Sequence, residues 1–210
     1  MPPKVKFQKE EIVSAALNVV RKKGPGALTA REVAKELAVS VGPIFTFFDT
    51  MDQLRAEVFD RAKSGYRERL RQGLAGPVPF LGLWQQYIRF AREEPELYRL
   101  LFLTRPDSVS GGAMETLRLS QDLARESVMR VYNMDAATAD RYFRDMWLAA
   151  FSIATLIVTD DCPYTDKEIF DIGAEISLSV CKAYKEIPGL PEGRYDRDAV
   201  FRSLVRKGSD

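Results

Sequence analysis

A chain of 210 residues with 46% hydrophobic composition is long enough to bury a substantial core, as one domain or as two small ones. Histidine is absent, which excludes His-based metal sites and every Ser-His or Cys-His nucleophile pair, and Cys162 and Cys181 lack the CxxC spacing of a redox or metal motif. The net charge of +1 hides an asymmetry: residues 1–50 hold eight Lys or Arg against five acids, leaving 23 against 25 in the rest.

The N-terminus, MPPKVKF, has no apolar stretch of the kind a signal peptide needs. Helical spacing of Ile12, Ala15, Ala16, Val19 and Val20 predicts a first helix over Lys9 to Lys23, ended by Gly24-Pro25-Gly26. Thr29 and Glu32 form a capping-box pair, so a second helix is expected from Ala30, with Val33, Ala34 and Leu37 inward. Ser40 reads as the next N-cap, with Pro43 in the first turn of a third helix and Ile44 and Phe48 as its buried stripe. Thr50 with Gln53 caps a long helix, about Met51 to Leu74, carrying Leu54, Val58, Ala62 and Tyr66 on one side.

Gly73, Gly76, Pro77 and Pro79 punctuate its end. Beyond them Phe80 to Arg92 presents Leu83, Trp84, Tyr87, Ile88 and Ala91 on one face, and Pro95 suits the first turn of a short helix in EEPELYRLLF. A polar loop, Arg105 to Gly112, precedes an amphipathic helix from Ala113 to Tyr132, and a break follows at Asn133 to Asp135. Two long helices, about Ala136 to Val158 and Asp166 to Glu186, carry apolar faces wider than one neighbour covers, which predicts a further partner. The longest apolar run, Met146 to Val158, contains Ser152 and Thr155 and is too short to span a bilayer, so a cytoplasmic protein without a membrane partner is expected. A tail with one short helix, Asp198 to Arg206, closes the chain.

Two short helices joined by a tight turn and buttressed on both sides make a helix-turn-helix. Gly24, Leu28, Thr29, Arg31, Val33, Ala34, Leu37, Val39, Ser40, Gly42, Ile44, Phe48 and Leu54 stand at the spacing of one family pattern. Residues 9 to 60 thereby resemble the DNA-binding domain of TetR-family transcriptional regulators. The resemblance implies an all-α fold with two parts: a three-helix helix-turn-helix DNA-binding domain over residues 1–52, and a helical effector-binding and dimerisation domain over residues 53–210. It also implies operator DNA and a small-molecule effector as partners, and a homodimer formed through the last two long helices. No cofactor, metal or catalytic residue is expected.

The DNA contacts carried over are Lys4 and Lys6 on an N-terminal arm, Thr29, Ala30 and Arg31 at the second helix, and Ser40, Val41, Gly42, Pro43, Phe45, Thr46, Phe47 and Met51 around the recognition helix. Where the family usually has Tyr, His and Lys on phosphates, this chain has Phe45, Phe47 and Met51. Anchoring then falls to Lys4, Lys6, Lys9 and Arg31, while the two phenyl rings suit thymine methyl groups. The effector residues implied are Trp84, Tyr87, Phe90 and Phe102, then Met114, Leu117 and Met129, then Phe143, Trp147 and Phe151. An apolar, aromatic wall suits a hydrophobic or aromatic molecule. Arg89, Arg118 and Arg125 are candidates to pair an acidic one. The expected function is a transcriptional regulator, in the family's usual mode a repressor released by its effector; the alternative is a ligand-binding or adaptor protein with weakened DNA binding.

Overall fold

The computed structural model describes residues 8–76, 78–105 and 112–206, and every regular element among them is helical. The elements are α1 (Lys9–Lys23), α2 (Ala30–Glu36), α3 (Ile44–Phe47), α4 (Met51–Leu74), α5 (Pro79–Glu93), α6 (Pro95–Tyr98), α7 (Gly112–Tyr132), α8 (Ala136–Thr159), α9 (Asp166–Glu186) and α10 (Arg197–Arg206). A 3-10 turn, Pro25–Ala27, follows α1, and a π-turn, Arg99–Leu103, follows α6. The all-α, two-part architecture expected from the sequence is the one observed.

Hydroxyl and carboxylate caps open α2, α4, α8 and α9. Thr29 Oγ1 accepts from the Glu32 amide, Thr50 Oγ1 from Gln53, Asp135 from Thr138 and Thr165 from Glu168. The expected capping boxes at α2 and α4 are only half made. Glu32 turns its carboxylate to Lys23, and Gln53 Oε1 accepts from the Asp49 amide at 2.7 Å. The recognition helix is also shorter than its signals suggest. Ser40 and Pro43 were expected in its cap and first turn, but Val41 to Pro43 form a turn and regular helix begins at Ile44.

The long α4, about 36 Å at 1.5 Å per residue, is the strut of the molecule. It rests on α1 at one end and on α5 along its length, through Leu54, Val58, Phe59, Tyr66 and Leu70. Gly73 lies inside α4 rather than past its end, and there the α4 and α5 backbones touch. A Cβ on Gly73 would stand 2.5 Å from the Gly82 carbonyl oxygen. One apolar core continues from Ile12 and Val33 in the head, through α4, to Trp147 and Ile169 in the body.

Helices α8 and α9 form the closing pair. The inner face of α8 is buried, whereas Ile172, Ile176 and Val180 of α9 are half-buried and Leu178 is 70% exposed. Leu148 and Leu156 of α8 are exposed as well. Among the described residues no helix is long and apolar enough to cross a membrane.

Candidate nucleic-acid interface and ligand chamber

Helix α3 is anchored from beneath by Ile44 and Phe48, both buried, so Phe45, Thr46 and Phe47 are turned outward. The two phenyl rings are 46% and 41% exposed. Thr29, Arg31, Ser40 and Gly42 are exposed beside them, and Ala30, Val41, Pro43 and Met51 are half-buried. The structure therefore brings Thr29 to Arg31 and Ser40 to Phe47 onto one end of the head. The Thr46 hydroxyl turns back onto the Gly42 carbonyl at 3.4 Å. Lys4 and Lys6 lie outside the described residues.

Charge on the head is more committed than its composition suggests. Lys9, offered by the sequence as a phosphate anchor, pairs with Glu57 and sits over the Phe48 ring. Lys22 pairs with Glu36 at 2.6 Å, Lys23 with Glu32, and Arg21 with Glu94 at 3.0 Å. The Lys23 ammonium holds the Glu32 carboxyl below its ordinary range, so that pair stays ionised at neutral pH. Among the described residues of the head, Arg31 and Lys35 alone have no ion pair. Lys35 was missed by sequence reasoning; Glu32, three residues before it on α2, stands at pairing distance in sequence but is taken in space by Lys23 from α1, which spacing within a single helix does not reveal.

The body holds an aromatic chamber. Tyr66, Tyr87, Tyr98 and Phe102 meet ring to ring, with Tyr66–Phe102 at 5.4 Å, Tyr87–Phe102 at 5.4 Å and Tyr98–Phe102 at 4.7 Å, while Trp147 stacks on Phe151 at 5.0 Å. Such ring contacts add to the area they bury. The hydroxyls are partnered: Tyr66 with Ser120 Oγ at 2.9 Å, and Tyr87 with Tyr98 at 3.1 Å, which in turn reaches Thr155 at 3.4 Å. Burial raises the phenol pKa of Tyr66, Tyr87 and Tyr98, so all three are neutral at physiological pH. The void among Trp84, Tyr87, Phe143, Trp147 and their neighbours measures about 10 Å³, close to the smallest space that holds one water. The chamber is closed in this conformation.

Of the residues expected around a ligand, Trp84, Tyr87, Phe143 and Trp147 line the void; Phe90, Phe102 and Leu117 are buried near it, and Phe151 and Met129 are half-buried. Met114 is not brought in: it is 56% exposed, about 200° around α7 from the buried Thr116, at 100° per residue. Sequence reasoning missed Tyr66, Phe80, Ser120 and Met146 as lining residues. Tyr66 had been read as a strut residue, and Ser120 carried no hydrophobic signal at all. The arginines stand elsewhere: Arg125 grips Asp140 at 2.8 and 3.1 Å, Arg89 reaches Glu93, and Arg118 is exposed.

Head and body meet at α1 and α6. Arg21 on α1 clasps Glu94, the residue before α6, and Arg99 beyond α6 bonds Glu96 at 3.2 Å and the Val158 carbonyl. Tyr98 and Phe102 of the chamber therefore belong to the same short segment that touches the head.

The chain thus joins a helix-turn-helix head to an α-helical body that holds an aromatic chamber. Residues 12–58 match the family described as bacterial regulatory proteins, tetR family. That match covers the helix-turn-helix head, α1 to the first part of α4, and leaves the body outside it. Among solved structures, a tetR-family transcriptional regulator from Streptomyces coelicolor is 16% identical, with a TM-score of 0.64 over 96% of this chain and 97% of that one. The fatty acid degradation regulator FadR from Bacillus halodurans is 15% identical, with a TM-score of 0.60 over 83% and 98% of the two chains. The multidrug binding protein EbrR complexed with ethidium is 21% identical, with a TM-score of 0.57 over 80% and 96%. At these identities the likeness establishes the fold alone. No curated protein sequence matches the chain.

Proposed function

We propose that this chain is a dimeric transcriptional repressor that releases its operator when an uncharged aromatic or hydrophobic molecule enters the chamber of the body. The observation that carries the reading is the closed aromatic chamber itself, lined by neutral phenols and indoles and built partly from the segment that grips the head. A chamber without charge favours an uncharged guest, because an ion there would lose its hydration without a partner.

The exposed leucines at 148, 156 and 178 give α8 and α9 an apolar face that a second copy would cover. Two recognition helices then reach successive major grooves about 34 Å apart, and a guest that favours another separation lowers operator affinity by a coupling of about 1–3 kcal/mol. In this reading the exposed rings of Phe45 and Phe47 meet thymine methyls, and Arg31 and Lys35 serve the phosphates.

The test is fluorescence anisotropy on a labelled duplex from upstream of the chain's own gene, at two salt concentrations and with Arg31→Ala alongside. Salt-sensitive binding that the substitution weakens, and that a hydrophobic aromatic compound reverses, is the expected result. Binding that no such compound changes would overturn the coupling. A specific observation favours the adaptor reading as the second choice: four of the six described cations of the head are already paired with acids. An adaptor would show no salt-dependent DNA binding.

A further inference from the structure

The closed void is not the largest space in the body. Between α5 and the start of α9 lies an open cleft of about 490 Å³, within the size range of small-molecule sites. Trp84 lines both the cleft and the void and is the residue their linings share.

We propose that Trp84 is the gate of the ligand site: swung aside, its indole joins the cleft to the aromatic chamber, and a flat, uncharged aromatic molecule reaches the chamber between α5 and α9. The proposal rests on the reading of the chamber as the effector site, and it adds the route, the moving part and the charge of the guest.

Three observations support it. Trp84 is only 3% exposed, yet its indole N–H has no hydrogen-bond partner. A buried donor left unpaired is destabilising, so the closed position carries a penalty that an acceptor on a guest, or water in the open position, would relieve. Gly173 of α9 lies directly against the ring, where a Cβ would stand 2.5 Å from Trp84 Cε2 and 2.8 Å from Nε1. Glycine is a poor residue inside a helix. Its place here, eight residues into α9, is what lets the indole lie flat against that helix in the closed position.

The rim of the cleft supplies the third observation. Arg92 bonds Asp166 at 2.8 Å and the Tyr164 carbonyl at 3.2 Å, tying α5 to the start of α9, and Arg89 pairs with Glu93 at 3.4 Å. Two cations are matched by two anions, so the mouth selects neither sign of charge. Behind the gate the polar groups are uncharged, the hydroxyls of Tyr66 with Ser120 and of Tyr87 with Tyr98 and the unpartnered indole N–H of Trp147. Mouth and chamber agree on a neutral guest.

The experiment uses the full chain and two probes, uncharged N-phenyl-1-naphthylamine and its sulfonated relative 1-anilinonaphthalene-8-sulfonate. The chain has two tryptophans, so in a Trp147→Phe background acrylamide quenching reads Trp84 alone. Gly173→Ala denies the indole its closed seat, and circular dichroism verifies that each variant keeps its helices. When only a fraction of molecules is competent to bind, apparent affinity falls by that fraction, so raising the share with the indole swung aside tightens the neutral probe by up to about tenfold. The expected result is greater quenching of Trp84 in Gly173→Ala, faster and tighter uptake of the neutral probe, and weaker uptake of the sulfonate. Uptake of the neutral probe by the parent chain with quenching and rate unchanged in a folded Gly173→Ala would overturn the gate and leave the effector chamber standing. Equal or tighter uptake of the sulfonate would overturn the neutral class. Uptake by neither the parent nor Gly173→Ala would overturn the gate and the chamber together.

Discussion

Ala38 carries a local cost that its position makes visible. It ends α2 at φ 55°, in the left-handed region, where the Val39 amide bonds the Ala34 carbonyl at 2.9 Å and the Ala38 amide bonds Lys35. That is the geometry in which glycine usually closes a helix, and an alanine Cβ is strained there. Ala38→Gly is therefore expected to stabilise the chain by about 0.5–1 kcal/mol, after the greater chain entropy of unfolded glycine is subtracted, read as a higher urea midpoint. The opposite case is Gly82, whose Cβ would be driven into the Gly73 carbonyl across the α4–α5 contact. Gly82→Ala should lower stability by about 1–3 kcal/mol by thermal or urea unfolding, since backbone cannot step aside as a side chain can. Such positions explain where sequence reading ends. Thr29 and Thr50 announced their helices because a cap is a local signal, read within four residues. Gly73 looked like punctuation because its reason for being glycine, Gly82, belongs to another helix.

The least legible element is the one that joins the two halves. Helix α6 was expected from Pro95, but the π-turn behind it, closed by the Thr104 amide on the Arg99 carbonyl at 2.9 Å, inserts an extra residue that 3.6-residue periodicity does not show. It rotates Tyr98, Leu101 and Phe102 into the core together. Likewise the buried face of α7 runs through Thr116 and Ser120, and the family resemblance, which places whole helices around a cavity, gave Met114 a place that its outward face does not support. If α6 carries the signal, Arg21→Ala should leave operator affinity within about threefold of the parent while reducing the effector's influence on it, because an exposed ion pair is worth at most about 1 kcal/mol to either state by itself. Anisotropy with and without effector separates the two outcomes; an unaltered effector response would remove this contact from the coupling.

At the scale of the whole molecule, the head's electrostatics set a quantitative expectation. With Arg31 and Lys35 as the unpaired cations of each described head, a dimer neutralising four phosphates would give a slope of log affinity against log salt of about −4. Lys35→Ala should make that slope shallower by roughly 2 in a dimer, and a parent slope near −7 would assign phosphate contacts to Lys4 and Lys6 as well. The continuity of the core has a different kind of consequence. Ile12, Val33 and Leu54 belong to the same packed cluster as Trp84 and Trp147, and no loose tether separates them. A recombination event cutting near residue 52 would tear that cluster open, and a foreign head would have to match α4 and α6 as well as the operator. If the head reads DNA as proposed, new target sites should therefore arise by single exchanges at the few outward positions of α3, Phe45 to Phe47, and seldom by exchange of whole heads.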